Sequence, residues 1–135
     1  MRLPHKAHLA IVDGASFTLM RNDGSPDSPS LTSIDRPDVE GSNFSAGVRH
    51  QDDVGQRKGS TDLNELAHAA AVAEYLNQAV LQGKIDKLAI AADPKTLGEM
   101  RRHYHKSLEA ALVAEEAKTV TGEPVARIEK VLLSD

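Results

Sequence analysis

Residues 87–108, KLAIAADPKTLGEMRRHYHKSL, decide the fold of this chain. Leu88–Ala92 is an unbroken apolar run of the length usual for a strand. A strand without polar alternation is typical of a sheet whose two faces are both covered. Asp93 and Pro94 follow at once, and these residue types favour the N-cap and the first position of a helix. The stretch therefore predicts a central strand that leads directly into a helix.

The amino-acid composition limits the size of the fold and the kinds of site that the chain can form. The chain has 135 residues, enough for one domain, and we expect residues 1–135 to form a single domain. It has no cysteine, which excludes disulfides and thiolate metal sites. A net charge of −4 argues against broad binding of nucleic acid but leaves room for a local basic patch. The scarcity of aromatic residues also argues against base stacking.

The N-terminal sequence MRLPHKAHLAIVDGAS has a short apolar run, Leu9–Val12, that ends at Asp13. A secretory signal needs about 7–15 apolar residues and a membrane span about 20. We therefore expect a cytoplasmic protein with no membrane contact.

The first third of the chain predicts three strands. Ala7–Val12 and Ala15–Met20 flank Asp13-Gly14, a pair typical of a short hairpin. Leu31–Asp35 predicts a weaker third strand at an edge of the sheet. The polar, aperiodic segment 36–60 is expected to be a long loop, and long loops in small domains are often functional or disordered.

The rest of the chain alternates helices with strands. Asp62 to Gln82 predicts a helix, with Asp62 and Glu65 spaced as a capping box and Gly83 as its stop. An apolar stripe predicts one long helix or two abutting helices from Pro94 to about Ala117: Leu97, Met100, Tyr104, Leu108 and Leu112. A short strand is expected at Lys118–Thr121. A last helix is expected to open at Pro124, with Val125, Ile128 and Leu132 as its apolar stripe.

The predicted order is β-β-β-α-β-α-β-α. It predicts a mixed five-stranded sheet in a three-layer α/β/α sandwich. This is the element order of ribonuclease-H-like folds.

Three segments carry a family resemblance: VDGASFTLM, LNQAVLQGKIDKLAIAADPKTLGEMRRHYHKSL and GEPVARIEKVL. They resemble the bacterial host-attachment proteins, which are grouped with the middle domain of the archaeal and eukaryotic class-1 release factor. The resemblance covers nearly the whole chain except 36–60, and its most specific part is PKTLGEMRRHYHK. It implies a ribonuclease-H-like middle-domain fold, a cytoplasmic location and a link to translation.

In the release factor, a Gly-Gly-Gln loop lies between the third strand and the next long helix and promotes hydrolysis of peptidyl-tRNA. The corresponding segment here reads Val54-Gly55-Gln56-Arg57. Gly55 and Gln56 match the motif, whereas the β-branched Val54 resists backbone angles that the first glycine permits. Gln56 and Gly55 are therefore the catalytic candidates, with Arg57 and Lys58 as phosphate contacts. The alternative interpretation is a solvated loop in which the pair occurs by chance.

Carboxylates form a second candidate site. Asp13 and Asp93 each end a strand, and the predicted topology places these strands side by side. Such a pair, with Glu65 as a third ligand, is the arrangement that holds two metal ions for phosphodiester cleavage. The structural alternative makes Asp13 a turn residue and Asp93 a helix cap.

A basic stretch on the helix after the central strand is a third candidate. Arg101 and His105 would share one helical face, and Arg102 and Lys106 another. They could bind phosphate, or simply form a solvated surface. His103 and His105 are two residues apart, a spacing unlike that of helical metal ligands.

Two functions from different classes remain open. The first is a non-enzymatic module of the host-attachment family that binds the ribosome, RNA or a protein partner. The second is a hydrolase that acts on peptidyl-tRNA through Gln56 or on nucleic acid through Asp13 and Asp93. No P-loop, dinucleotide-binding glycine pattern or nucleophile-elbow motif of a Ser-His-Asp hydrolase is present, which leaves open a triad assembled from distant residues, and we predict no cofactor.

Overall fold

The computed structural model describes residues 1–37, 39 and 57–133, with the side chains of 57–62 left out. The strands are β1 (His8–Val12), β2 (Phe17–Asn22), β3 (Leu31–Asp35), β4 (Leu88–Ala92) and β5 (Leu112–Glu116). The helices are α1 (Arg57–Leu81), α2 (Pro94–Arg101), α3 (Lys106–Ala111) and α4 (Val125–Ile128), which continues as a π-helical turn at Glu129–Leu133.

The five strands form one mixed sheet in the order β3-β2-β1-β4-β5. β1 pairs antiparallel with β2 and parallel with β4, while β5 adds to β4 in parallel. Every residue of β4 is buried. The predictions of an interior strand at Leu88–Ala92 and an edge strand at Leu31–Asp35 are confirmed.

Apolar clusters lie on both faces of the sheet, because successive strand residues point to opposite sides. On one face, Val12 and Ile90 belong to a cluster that α1, α2 and α3 cover. On the other, Ile11 and Ala91 belong to a cluster that α4 and its π-helical turn cover. The sheet is therefore the middle of three layers.

Helix α1 begins earlier than its sequence signals predict. It starts at Arg57, so the expected loop 36–60 and the helix start at Asp62 are wrong at this end. Asp62 lies inside the helix and is not its N-cap. Aspartate costs only about 0.7 kcal/mol or less in a helix interior, so a helix can extend through it. Gly83 has φ = 78° and donates its N–H to the carbonyl of Val80 at 3.1 Å, as expected of a helix stop.

The segment after α2 differs most from prediction. Two short helices are present, and the last strand occupies Leu112–Glu116, whereas the predicted strand Lys118–Thr121 is not a strand. Leu112 fits the apolar spacing of α3 but is the first extended residue, with ψ = 127°. A run this short satisfies both helical and strand patterns, which explains the misplacement.

Candidate functional site

A cleft of about 370 Å³ opens at the carboxyl ends of β1 and β4. Val12 and Ala92 are register partners on these parallel strands, so the residues after them, Asp13 and Asp93, lie on neighbouring strand ends. Glu65 of α1 also lines the cleft. The structure thus brings the three predicted carboxylates to one cleft, at the edge of the sheet where α/β proteins commonly bind ligands.

Asp13 closes the turn between β1 and β2. Its Oδ1 accepts hydrogen bonds from the Ala15 amide at 2.8 Å, the Ser16 amide at 2.7 Å and the Ser16 hydroxyl at 2.9 Å. Partial burial acts to raise the pKa of Asp13, but these hydrogen bonds favour the charged form and hold its pKa below the usual value. The carboxylate is ionised and held by its own turn.

Asp93 caps α2. Its Oδ2 accepts from the Thr96 amide at 3.1 Å and its Oδ1 from the Thr96 hydroxyl at 2.7 Å. Pro94 occupies the start of the helix, as the sequence predicts. Both oxygens of Asp93 therefore accept hydrogen bonds that stabilise the helix end.

Glu65 joins α1 to both strand ends. Its Oε1 accepts from Lys95 Nζ at 3.1 Å. Its side chain also lies over Gly14, where an added Cβ would approach Glu65 Cγ to 2.9 Å. One turn further along α1, His68 Nδ1 lies 3.0 Å from the carbonyl oxygen of Asp13. Since a carbonyl can only accept, Nδ1 carries the proton in this contact.

The cleft carboxylates serve as caps and contacts within the protein. Within residues 1–37, 39 and 57–133, no group of three or more His, Asp or Glu side chains is arranged to hold a metal ion. Asp13, Asp93 and Glu65 each accept hydrogen bonds from protein donors instead. Each of the three carboxylates therefore has a hydrogen-bonding role within the protein.

The basic stretch does not form one helical surface, because α2 ends at Arg101 and α3 begins only at Lys106. The expected shared faces of Arg101 with His105 and of Arg102 with Lys106 are therefore wrong. Three of these side chains face carboxylates: Arg101 lies 3.0 Å from Glu115, Arg102 lies 3.2 Å from Glu99 and His105 lies 3.7 Å from Glu74. Phosphate would have to compete with these carboxylates.

Asn77 organises this turn, and the sequence interpretation missed it. The side chain is fully buried on α1. Its Nδ2 donates to the carbonyl of His103 at 2.8 Å, and its Oδ1 accepts from the amide of His105 at 3.0 Å. A signal was present: Asn77 lies four residues after Ala73, on the apolar stripe of α1, where a polar residue needs hydrogen-bond partners.

Glu115 and Tyr104 hold the other side of the turn. The Tyr104 hydroxyl donates to Glu115 Oε2 at 2.8 Å, while Arg101 binds Oε1 of the same carboxylate. Burial, and then the bond to Glu115, raise the pKa of Tyr104 above its usual range. Tyr104 is therefore a neutral donor here.

The structure describes the candidate residues of the loop only in part. Gly55 and Gln56 lie outside the described residues. Arg57 and Lys58 are the first two residues of α1, described by their backbone alone.

The sheet order, its two helical layers and the cleft define a three-layer α/β domain. The chain belongs to the bacterial archaeo-eukaryotic release factor family 12, whose family model matches residues 6–132. A search of curated proteins gave no match. Across the described part of the chain, no helix has the length and apolar character needed to cross a membrane.

Proposed function

We propose that this chain is a non-enzymatic, translation-associated module that binds the ribosome, and that the start of α1 with the segment before it makes the contact. The membership in a release-factor family supports the link to translation. The observation that carries the proposal is the length and position of α1, a 25-residue helix that begins at Arg57, directly after Gln56 in the sequence. Arg57 and Lys58 then contact RNA phosphates.

We also propose that the fold is ribonuclease-H-like and the location cytoplasmic. The strand order with β1 at the centre of a mixed sheet, and helices on both faces, supports this fold. A host-attachment phenotype would be an indirect consequence of altered translation.

The hydrolase alternatives have less support. Asp13 and Asp93 have local hydrogen-bond roles that account for both side chains. The release-factor resemblance of Gly55 and Gln56 lacks the first glycine, which Val54 replaces.

Ribosome pelleting tests the proposal. The wild-type chain is expected to pellet with ribosomes at about 50 mM salt and to be released towards about 200 mM. Arg57→Gln with Lys58→Gln should weaken pelleting and reduce the salt slope by about 1 per lost phosphate contact. Lys84→Gln with Lys87→Gln is the matched control, because these exposed lysines lie beyond the other end of α1.

Three results would contradict the proposal. The first is no pelleting at low salt, and the second is equal loss in the control variant. The third is turnover: cleavage of peptidyl-tRNA that Gln56→Ala abolishes and Asp13→Asn preserves would identify a hydrolase. Metal-dependent cleavage of nucleic acid that Asp13→Asn abolishes would identify a nuclease.

A further inference from the structure

The backbone of helix α1 begins eight residues before Glu65, the first of its described side chains that contacts the carboxyl edge of the sheet. β3 runs parallel to β1, so the chain leaves β3 at this edge. α1 meets the edge at His68, and its later residues pack on the sheet, so the helix runs back from this edge over the sheet. From residue 63 onward, the first buried residue is Ala67. Residues 57–64, which we call the overhang, therefore comprise about 12 Å of helix at 1.5 Å per residue.

Two contacts lie at the base of the overhang, and they reach different strand ends. His68 donates to the carbonyl oxygen of Asp13, at the end of β1, over 3.0 Å. Glu65 binds Lys95, in the first turn of the helix after β4, over 3.1 Å. A helix held at two points on two strands cannot rotate about either one alone. The contact of Glu65 with Gly14 brings the helix close to the β1–β2 turn.

We infer that Glu65 and His68 are positioning residues that set the direction of the overhang and so pre-organise the ribosome contact. This inference rests on the proposed function. The first turn of a helix lacks partners for its amides and frays readily. Ordering such a segment on binding costs free energy, and holding it in place beforehand removes part of that cost.

Two readouts test the inference, of which the first needs no ribosome. Amide hydrogen exchange in residues 61–64, the part of the overhang whose amides have acceptors within the helix, should become about two- to five-fold faster in Glu65→Gln and in His68→Leu, the range expected for losing a partly exposed contact. Residues 69–80, whose side chains are mostly buried, should keep their protection. Ribosome affinity should fall by a similar factor in both variants.

Rescue separates positioning from a general loss of stability. His68→Asn should restore both readouts, because its amide nitrogen can occupy the place of Nδ1 and donate to the same carbonyl. Asp27→Asn is the charge-matched control for Glu65→Gln, since Asp27 is an exposed carboxylate paired with Arg2 away from α1. It should change neither readout.

The outcomes distinguish this inference from the proposed function. If the wild type does not pellet, the proposed function fails, and the exchange rates still report whether Glu65 and His68 hold the overhang. If the wild type pellets and both variants match it in exchange and affinity, the inference is wrong. Tighter binding by Glu65→Gln would also overturn it, because loss of negative charge would then matter more than position.

Discussion

The amide of Asn77 replaces backbone hydrogen bonds that are missing where the chain turns from α2 to α3. Two of its partners, the His103 carbonyl and the His105 amide, belong to residues on either side of Tyr104. Asn77→Ala would leave both groups without this partner in a partly buried setting. We expect the free energy of unfolding to fall by about 1–3 kcal/mol, measured by urea denaturation.

Gln78→Ala is the control for that substitution, because the neighbouring side chain is exposed and bonds only to Glu74 on the same helix in the described structure. Its effect should stay within about 0.5 kcal/mol. Asn77→Asp keeps an acceptor for the His105 amide but replaces the donor to His103 with a carboxylate oxygen. It should therefore also destabilise at neutral pH, and a neutral result for Asn77→Asp would contradict the donor role.

His8 is a half-buried residue whose surroundings favour the neutral imidazole. Its Nδ1 is buried and has no hydrogen-bond partner among the residues that the structure describes, and Arg21 is its register partner on β2. Burial lowers the pKa of His8, Arg21 lowers it further, and Asp23 opposes them. The unfolded chain therefore takes up a proton at higher pH than the folded chain, so folding stability is lost as the pH falls below about 6.5.

We predict that His8→Leu removes this component of the acid sensitivity. Urea midpoints measured from about pH 8 to about pH 5 should fall less steeply for the variant than for the wild type, and the difference should level off once the folded state is also protonated. His5→Leu serves for comparison, since His5 is exposed and bonds to the Gly24 carbonyl. Parallel pH profiles for wild type and His8→Leu would sink the prediction.

At the scale of elements, substitutions of Asp93 test whether its side chain stabilises α2 as an N-cap. Asp93→Ala removes the acceptors for the Thr96 amide and hydroxyl, and should cost about 1 kcal/mol. Asp93→Asn should cost much less, because asparagine is as good an N-cap as aspartate. Thermal or urea unfolding checks both. Equal losses in the two variants would show that the negative charge, and not the capping geometry, matters at this position.

Both outer strands, β3 and β5, contain a shift of register that the sequence does not predict. The register of β3 on β2 shifts at Ile34, and that of β5 on β4 shifts at Val113. Each of these residues is 41% exposed. An extra residue in an edge strand bends and twists it, which hinders pairing with a second chain. The exposed β-branched residues thus mark irregular edges and not a continuous apolar face.

Elements with two agreeing signals were predictable from the sequence. The strand Leu88–Ala92 and its capped helix had an apolar run together with Asp93-Pro94, and both are confirmed. The sequence of β5 is only a short run that fits both the helical and the strand periodicity. The start of α1 was misplaced because Asp62 and Glu65 have the spacing of a capping box, and because Gly59, Ser60 and Thr61 before them are poor helix formers. Asn77 escaped notice because its partners are backbone groups 26 and 28 residues away.

At the scale of the whole molecule, β4 has two unlike faces, and they explain the two layers. Its larger side chains, Leu88 and Ile90, point to the face covered by α1, α2 and α3. Ala89 and Ala91 point to the other face, where small residues allow α4 and its π-helical turn to approach closely. The N-terminal ammonium group of Met1 donates to the Leu132 carbonyl at 2.6 Å, which joins the start of the chain to this second layer.

The second layer depends on one side of the last helical segment, and two of its residues form a matched test. Leu132 is 1% exposed within the second cluster, whereas Val125, predicted to share its stripe, is 38% exposed. Leu132→Ala should lower the free energy of unfolding by about 2–5 kcal/mol, because it removes buried methyl groups and leaves a cavity. Val125→Ala should change it by less than about 0.5 kcal/mol. Urea denaturation followed by circular dichroism checks both values. Similar small losses of unfolding free energy in the two variants would mean that packing of this layer contributes little to stability. The expected contrast would show that the buried side of the last helical segment stabilises the fold.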